Sequence, residues 1–135
     1  MNPSFAIGTT VDNETLRNEF RCSTQGGMRR SLITNTLVLI SKKGLYDDRW
    51  NGDIFYYTGM GQLGDQSLDY KQNKTLAESK FNGVEVHLFE GLENRRYTYR
   101  GIVELAGEPF KEKQRDKNGT VRAVYVFPLR MQMKS

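Results

Sequence analysis

The chain has 135 residues, 37% of them hydrophobic and 27% charged, with a formal net charge of +4. That length suits one domain, 1–135, with one real core, and thirteen glycines with seven tyrosines favour a turn-rich β or α+β domain over a helical bundle. The single cysteine, Cys22, excludes an internal disulfide, and the single histidine, His87, excludes both a zinc constellation and a His–Cys dyad.

Residues 1–12 read as extended, with Phe5 and Ile7 as apolar points. Asp12-Asn13 offers an N-cap for a short helix over Asn13–Phe20, which carries Leu16 and Phe20 at i, i+4 spacing. Residues 22–33 read as a loop in which paired glycines meet the paired arginines Arg29 and Arg30. Thr36–Ser41 is a continuous β-prone run, expected to be a strand buried on both faces. Lys42-Lys43-Gly44 ends it, and a loop at Tyr46–Gly52 leads into a strand at Asp53–Tyr57. Gly59–Gly64 is glycine-rich but lacks the spacing of a nucleotide fingerprint or a phosphate cradle.

The stretch Asp65–Ser79 places Leu68, Gln72 and Leu76 at helical spacing, and Thr75 with Glu78 fits a capping box, so it is expected to be mostly helical. Val84–Phe89 alternates as a strand, Gly91–Asn94 as a turn, and Arg96–Leu105 as a further strand with Tyr97, Tyr99, Val103 and Leu105 on one face. His87 falls within such alternation and reads as an ordinary strand residue. Lys111–Gly119 reads as a solvated hairpin loop and Val121–Met131 as the closing strand. Five strands, up to seven with the N-terminal pieces, and two short outer helices imply an α+β domain. Its sheet would be a strongly curved mixed or antiparallel one, or a partly open β-barrel. No apolar run approaches the ~20 residues of a membrane-spanning helix and no signal peptide opens the sequence, so a cytoplasmic location without a membrane partner is expected.

The order of motifs resembles a known family. Gly26-Gly27, Thr36-Leu-Val-Leu-Ile40, Gly44-Leu-Tyr-Asp-Asp48, Gly52-Asp53, Tyr57-Thr58-Gly59, Asp65-Gln66, Asn73-Lys-Thr-Leu76 and Tyr99-x-Gly101 follow the order found in SRA (SET and RING associated, or YDG) domains. The wording Gly-Gly-Met-Arg-Arg-Ser and Tyr-Thr-Gly-Met-Gly is most similar to the SRA-like module of bacterial HNH-type modification-dependent restriction endonucleases. The resemblance implies a reader of modified cytosine, 5-methylcytosine or 5-hydroxymethylcytosine, that flips one base out of duplex DNA. By the same resemblance Tyr46 and Tyr57 would sandwich the base, Thr58 and Gly44 would line the pocket, and Asp48 or Asp47, Asp48 favoured, would read it. Gln25 and Gln62 (or Leu63) would sit on the loops that enter the duplex, and Arg29, Arg30, Lys42, Lys43, Lys71 and Lys74 would serve the backbone. The loop between Tyr57-Thr58-Gly59 and Asp65 is too short for the finger with which eukaryotic readers check the opposite strand.

The residue types suit that task. Two tyrosine faces replace stacking lost on extrusion, and a carboxylate accepts from the N4 amino group of cytosine but repels the O4 of thymine. No cofactor is implied, and the chain itself is expected not to be an enzyme: one histidine cannot form an HNH site, so a nuclease would lie elsewhere in a larger protein or in another chain. Two further readings compete. Asp47, Asp48 and Asp53 could hold Mg²⁺ for phosphodiester cleavage, or the scaffold could read RNA or another mark such as phosphorothioate. An ordinary core role for both tyrosines stands against all three.

Overall fold

A computed structural model of the chain describes residues 1–42, 46–62 and 64–132. The strands and helices in chain order are β1 (Thr10–Asp12), α1 (Asn13–Phe20), β2 (Met28–Ser31), β3 (Thr36–Lys42), β4 (Arg49–Asn51), β5 (Ile54–Thr58), α2 (Gln72–Ala77), β6 (Glu85–Leu92), β7 (Arg96–Leu105), β8 (Phe110–Arg115) and β9 (Val121–Met131). Every residue of β3 from Thr36 to Ser41 is buried. Leu37 and Leu39 enter one apolar cluster with Phe55, Tyr57, Leu76, Phe127 and Leu129, while Val38 and Ile40 enter a second with Leu16, Phe20, Phe89 and Tyr99. The alternation that any strand imposes on its side chains thus gives β3 two cores, one under each helix.

The strands form one mixed nine-stranded sheet ordered β2-β3-β6-β7-β9-β5-β4, with β1 added on β7 and β8 on β9. The β3–β6 pair is parallel and the others are antiparallel. The terminal strands β2 and β4 do not pair with each other, so the sheet is open rather than a closed barrel. A bulge at Leu88/Phe89 bends the β6–β7 ladder opposite Gly101, whose φ of 110° would strain any residue with a side chain, although the nearest atoms to a Cβ there, Ile7 Cδ1 and Met131 Cε at 2.9 Å, are ends of flexible side chains.

Helix α1 forms as its sequence dictates. Asp12 Oδ1 accepts from Thr15 N–H at 2.8 Å, a cap that also draws its carboxyl below the ordinary range, and Leu16 and Phe20 are fully buried. The Phe20 ring meets Phe5, His87 and Phe89 edge-on at centroid distances of 6.4, 4.8 and 5.7 Å. Phe20→Ala should therefore lower unfolding free energy by roughly 3–5 kcal/mol, read as a drop in the urea midpoint with the slope unchanged. His87 is a structural strand residue: its Nδ1 pairs with the Tyr99 hydroxyl at 2.8 Å and its Nε2 with Glu85 at 2.7 Å, and burial holds its pKa below the usual value.

Several expectations require correction. Residues 28–31 are a strand, not loop, because β2 pairs with β3. The 65–79 helix shrinks to Gln72–Ala77, since Asp65 and Gln66 serve the β9 edge instead: Ala123 N–H donates to Asp65 Oδ1, and Tyr125 N–H to Gln66 Oε1. Thr75 consequently sits inside that helix, with its hydroxyl on Gln72, and caps nothing. The charged segment 111–119 holds strand β8 before its turn, and the expected loop at Tyr46–Gly52 holds strand β4, which pairs with β5; together they bring the strand count to nine.

Candidate nucleic-acid interface

The C-terminal ends of β3 and β5 and the loop before β2 lie side by side, and a cleft of about 380 Å³ opens between them. Its walls include Gly27, Arg29, Lys42, Tyr46, Tyr57, Thr58, the backbone of Gly59–Gln62, Tyr70 and Tyr97. Tyr57 forms the floor. It is only 3% exposed, and its hydroxyl donates to Gly27 O at 2.9 Å, with Ile40 O at 3.2 Å as a second acceptor. Burial raises its pKa well above the ordinary phenol value, so the ring is a neutral, fixed surface. Tyr46 is half-buried and more exposed than Tyr57, with the Arg122 guanidinium 6.0 Å from its ring centroid. Tyr46 and Tyr57 both line the same cleft.

Asp47 and Asp48 diverge, as neighbours in extended chain must. The Asp47 side chain is exposed, while its backbone N–H reaches Gln114 Oε1 at 3.3 Å. The Asp48 carboxylate turns inward, where Oδ2 accepts from the Ser41 hydroxyl at 2.8 Å and Oδ1 from Thr58 N–H at 2.7 Å. Desolvation outweighs these two bonds and, helped by the Asp47 charge, pushes its pKa up to about 6. Asp48 is not itself among the residues lining the cleft; it stands behind Thr58, which is, and each carboxylate oxygen keeps further lone-pair capacity there.

The glycine loop after β5 is held by side chains rather than by a ladder. Asn73, fully buried on α2, accepts from Met60 N–H at 2.7 Å and donates to Met60 O and Ser67 O at 3.0 and 3.1 Å. Gln66 Nε2 donates to Gly59 O and Gly61 O at 2.7 and 3.1 Å. Arg122 Nη1 donates to Gly61 O and to Gly64 O, while its buried Nε has no partner among the described residues. A Cβ at Gly59 would stand 2.7 Å from Asn73 Oδ1 and 3.1 Å from the Phe127 ring, so only glycine fits there. Gln114 completes the frame by donating to Thr58 Oγ1 at 3.1 Å. Arg122 and Gln114 carry no recognisable motif; Arg122 has one signal, a charged side chain at the start of a strand-like run, and Gln114 has none within its uniformly polar segment.

Of the other residues expected at the site, Lys42 and Gln62 are exposed on the cleft and Lys71 stands beside its Tyr70 wall, with Nζ 5.2 Å from that ring. Gln25 is exposed on the loop before Gly26-Gly27 and Lys74 on α2. Arg29 borders the cleft but is 4% exposed: it donates to Gly26 O and Asn13 Oδ1 at 2.8 and 2.6 Å and lies over Tyr97, so it shapes the loop rather than standing free for a phosphate. Arg30 is drawn away to the β2–β3 turn, where it bonds Ser31 O, Thr36 O and Asn35 Oδ1. Lys43, Gly44 and Leu63 lie outside the described residues. Among the described residues no group of three His, Cys, Asp or Glu side chains could hold a metal ion, so Asp53 does not join Asp47 and Asp48 in a Mg²⁺ site.

A family model described as the ScoMcrA-like SRA domain matches residues 7–134. The chain belongs to this family. The SRA fold is equally clear in solved structures. The sulfur-binding and SRA domains of ScoMcrA complexed with phosphorothioated DNA share 18% identity at a TM-score of 0.77, covering 96% of this chain and 40% of that one. The type IV phosphorothioation-dependent restriction endonuclease ScoMcrA gives 19% identity and a TM-score of 0.77, covering 96% of this chain and 28% of that one. The SUVH5 SRA domain in complex with fully methylated CG DNA gives 23% identity and a TM-score of 0.73, covering 100% and 94%. This SRA domain thus spans under half the length of the ScoMcrA chains it matches and nearly all of the SUVH5 one. No curated protein sequence matches the chain. No helix among the described residues is long and apolar enough to cross a membrane.

Proposed function

We propose that this SRA domain binds duplex DNA carrying a modified cytosine and takes the modified base into the cleft between Tyr46 and Tyr57. The observation that supports this reading is the buried Asp48 carboxylate, held by the Ser41 hydroxyl and by the N–H of Thr58, which itself lines a cleft floored by a neutral tyrosine. Extrusion costs a few kcal/mol of pairing and stacking. Tyr46 and Tyr57 return ~1–3 kcal/mol per stacking contact without demanding a sequence. Asp48 accepts from N4 and thereby separates 5-methylcytosine from thymine, which offers O4 in the same place. A C5 methyl adds only ~0.8 kcal/mol by transfer, so preference for the modified base depends on the shape of the cleft.

The relatives support the class of ligand: ScoMcrA domains are complexed with phosphorothioated DNA and the SUVH5 SRA domain with methylated DNA. In this reading the chain recognises and does not cut; the cutting belongs to a nuclease domain in the same or another chain, and the place of action is the cytoplasm. The test is a binding panel of duplexes carrying cytosine, 5-methylcytosine, 5-hydroxymethylcytosine or phosphorothioate at two salt concentrations. Preference for one or both modified cytosines is expected. Preference for phosphorothioate alone would favour a backbone mark, and equal affinity for all four would end the modified-base reading.

A further inference from the structure

Strand β8 carries a charge pattern that the cleft does not use. Lys111, Lys113 and Arg115 are exposed on alternate positions and Lys117 follows in the turn, whereas Glu112 and Gln114 are turned toward the body of the protein. The acids of this hairpin are occupied. Glu112 takes both terminal nitrogens of Arg49 at 2.6 and 3.0 Å, and Asp116 Oδ1 accepts the turn amides of Asn118 and Thr120 at 2.9 Å each. Among the described residues none of the four cations forms an ion pair. Position adds to charge. Lys113, Arg115 and Lys117 line a polar groove together with Tyr46 and Asp47, and Tyr46 is also a wall of the base cleft. Groove and cleft therefore meet at a single ring.

We propose that this groove receives the DNA backbone adjoining the extruded nucleotide, with Lys113, Arg115 and Lys117 contacting phosphates. The proposal rests on the cleft being the base site. A base drawn in beside Tyr46 stays tethered to its own phosphates, which must pass over the rim, and side chains at alternate positions of a strand present donors roughly 7 Å apart along that path. The exposed Asp47 carboxylate is the one acid in the groove not engaged by the turn. The plain alternative is that lysines on β8, which pairs only with β9, merely guard an exposed edge against pairing with another chain.

The deciding variant is Lys113→Gln/Arg115→Gln/Lys117→Gln, whose exposed positions leave the fold intact. Binding is measured across a salt series on a duplex with one 5-methylcytosine and on its unmodified counterpart. Each lost phosphate contact lowers the slope of log Kobs against log salt by about 0.9, so the triple variant should be shallower by about 2–3 on both duplexes, with their affinity ratio unchanged. Lys80→Gln is the charge control. Lys80 borders the start of β6, at the opposite end of the β3–β6 pair from Lys42, and its loss should leave the slope alone. An unchanged slope in the triple variant, or an equal change per charge at Lys80, overturns the groove; so does aggregation with unaltered slope in the remaining monomer. A wild-type domain that fails to distinguish the duplexes refutes the base cleft, while the slope comparison still decides the groove.

Discussion

Asp48→Asn is expected to remove the preference for 5-methylcytosine over thymine and to leave DNA binding otherwise in place. Thr58 N–H demands an acceptor, so the asparagine carbonyl takes the position of Oδ1 and its amide nitrogen turns toward Ser41, whose hydroxyl can rotate to accept. The group then offers a donor where the carboxylate offered an acceptor. N4 of cytosine meets a donor, and O4 of thymine finds a partner. Discrimination of this kind is worth ~1–3 kcal/mol, so the affinity ratio should fall by roughly 5- to 150-fold. Competition binding between duplexes that differ only at that base measures it.

On the proposed reading the same residue is expected to make the preference pH-dependent. The free domain holds Asp48 with a pKa of about 6, above its value in an unfolded chain. A raised folded pKa means stability that is present at low pH and lost as pH rises through about 6, so the free domain is strained by its charged form at neutral pH, on the order of 2–3 kcal/mol. Binding N4 favours the carboxylate, which places the midpoint in the complex below that of the free domain. Preference for cytosine over thymine should fade as pH falls below about 6. In Asp48→Asn that fading disappears, and the variant unfolds at higher temperature than wild type near pH 7.5. A wild-type preference that stays constant down to pH 4.5 would remove Asp48 from the reading position.

Tyr46→Ala should weaken binding to modified DNA by ~1–3 kcal/mol, roughly 5- to 150-fold, while binding to unmodified DNA changes little. The contrast with Tyr57 matters. Tyr57 is part of the core and its hydroxyl anchors Gly27, so truncating it would disturb the fold as well as the cleft. Tyr46 is half-buried and contributes a wall, which makes it the cleaner probe of stacking. Tyr46→Phe keeps the ring and should retain binding. An emissive base analogue at the modified position reports extrusion directly: its unstacked signal should appear with wild type and Tyr46→Phe and be lost with Tyr46→Ala.

Where local chemistry decided the structure, the amino-acid pattern was readable. Asp12 and the Leu16/Phe20 spacing mark α1 at its observed limits, and the unbroken apolar run of β3 marks a strand with a core on either side. Where a tertiary contact decided it, the pattern misled. Leu68, Gln72 and Leu76 keep helical spacing, yet the chain before Gln72 follows the β9 edge because Asp65 and Gln66 bond to it. Strand β8 escaped notice because its inward positions, Glu112 and Gln114, are as polar as its outward ones; they face Arg49 and Thr58 rather than an apolar core. The cleft followed the same division. Tyr46, Asp48, Tyr57 and Thr58 stand in a recognisable order, whereas Arg122, Gln114 and the buried Asn73 acquire their roles only when distant segments meet.

Strand β9 has a bearing on how the domain comes into being. It pairs with β5, β7 and β8, and its backbone also receives Gly59, Asp65 and Gln66. Tyr57 and Thr58 are thus set against residues about seventy positions later in the chain, at Phe127 and Val126. Such distant pairing is slow to form and gives little partial credit, because the entropy of closing the long loop is lost before any contact repays it. A nascent chain that has not yet delivered β9 has both tyrosines but lacks the strand against which Tyr57 and Thr58 are set. On the proposed reading, assembly of the base site is then tied to completion of the sheet, and a half-made domain is expected not to engage DNA.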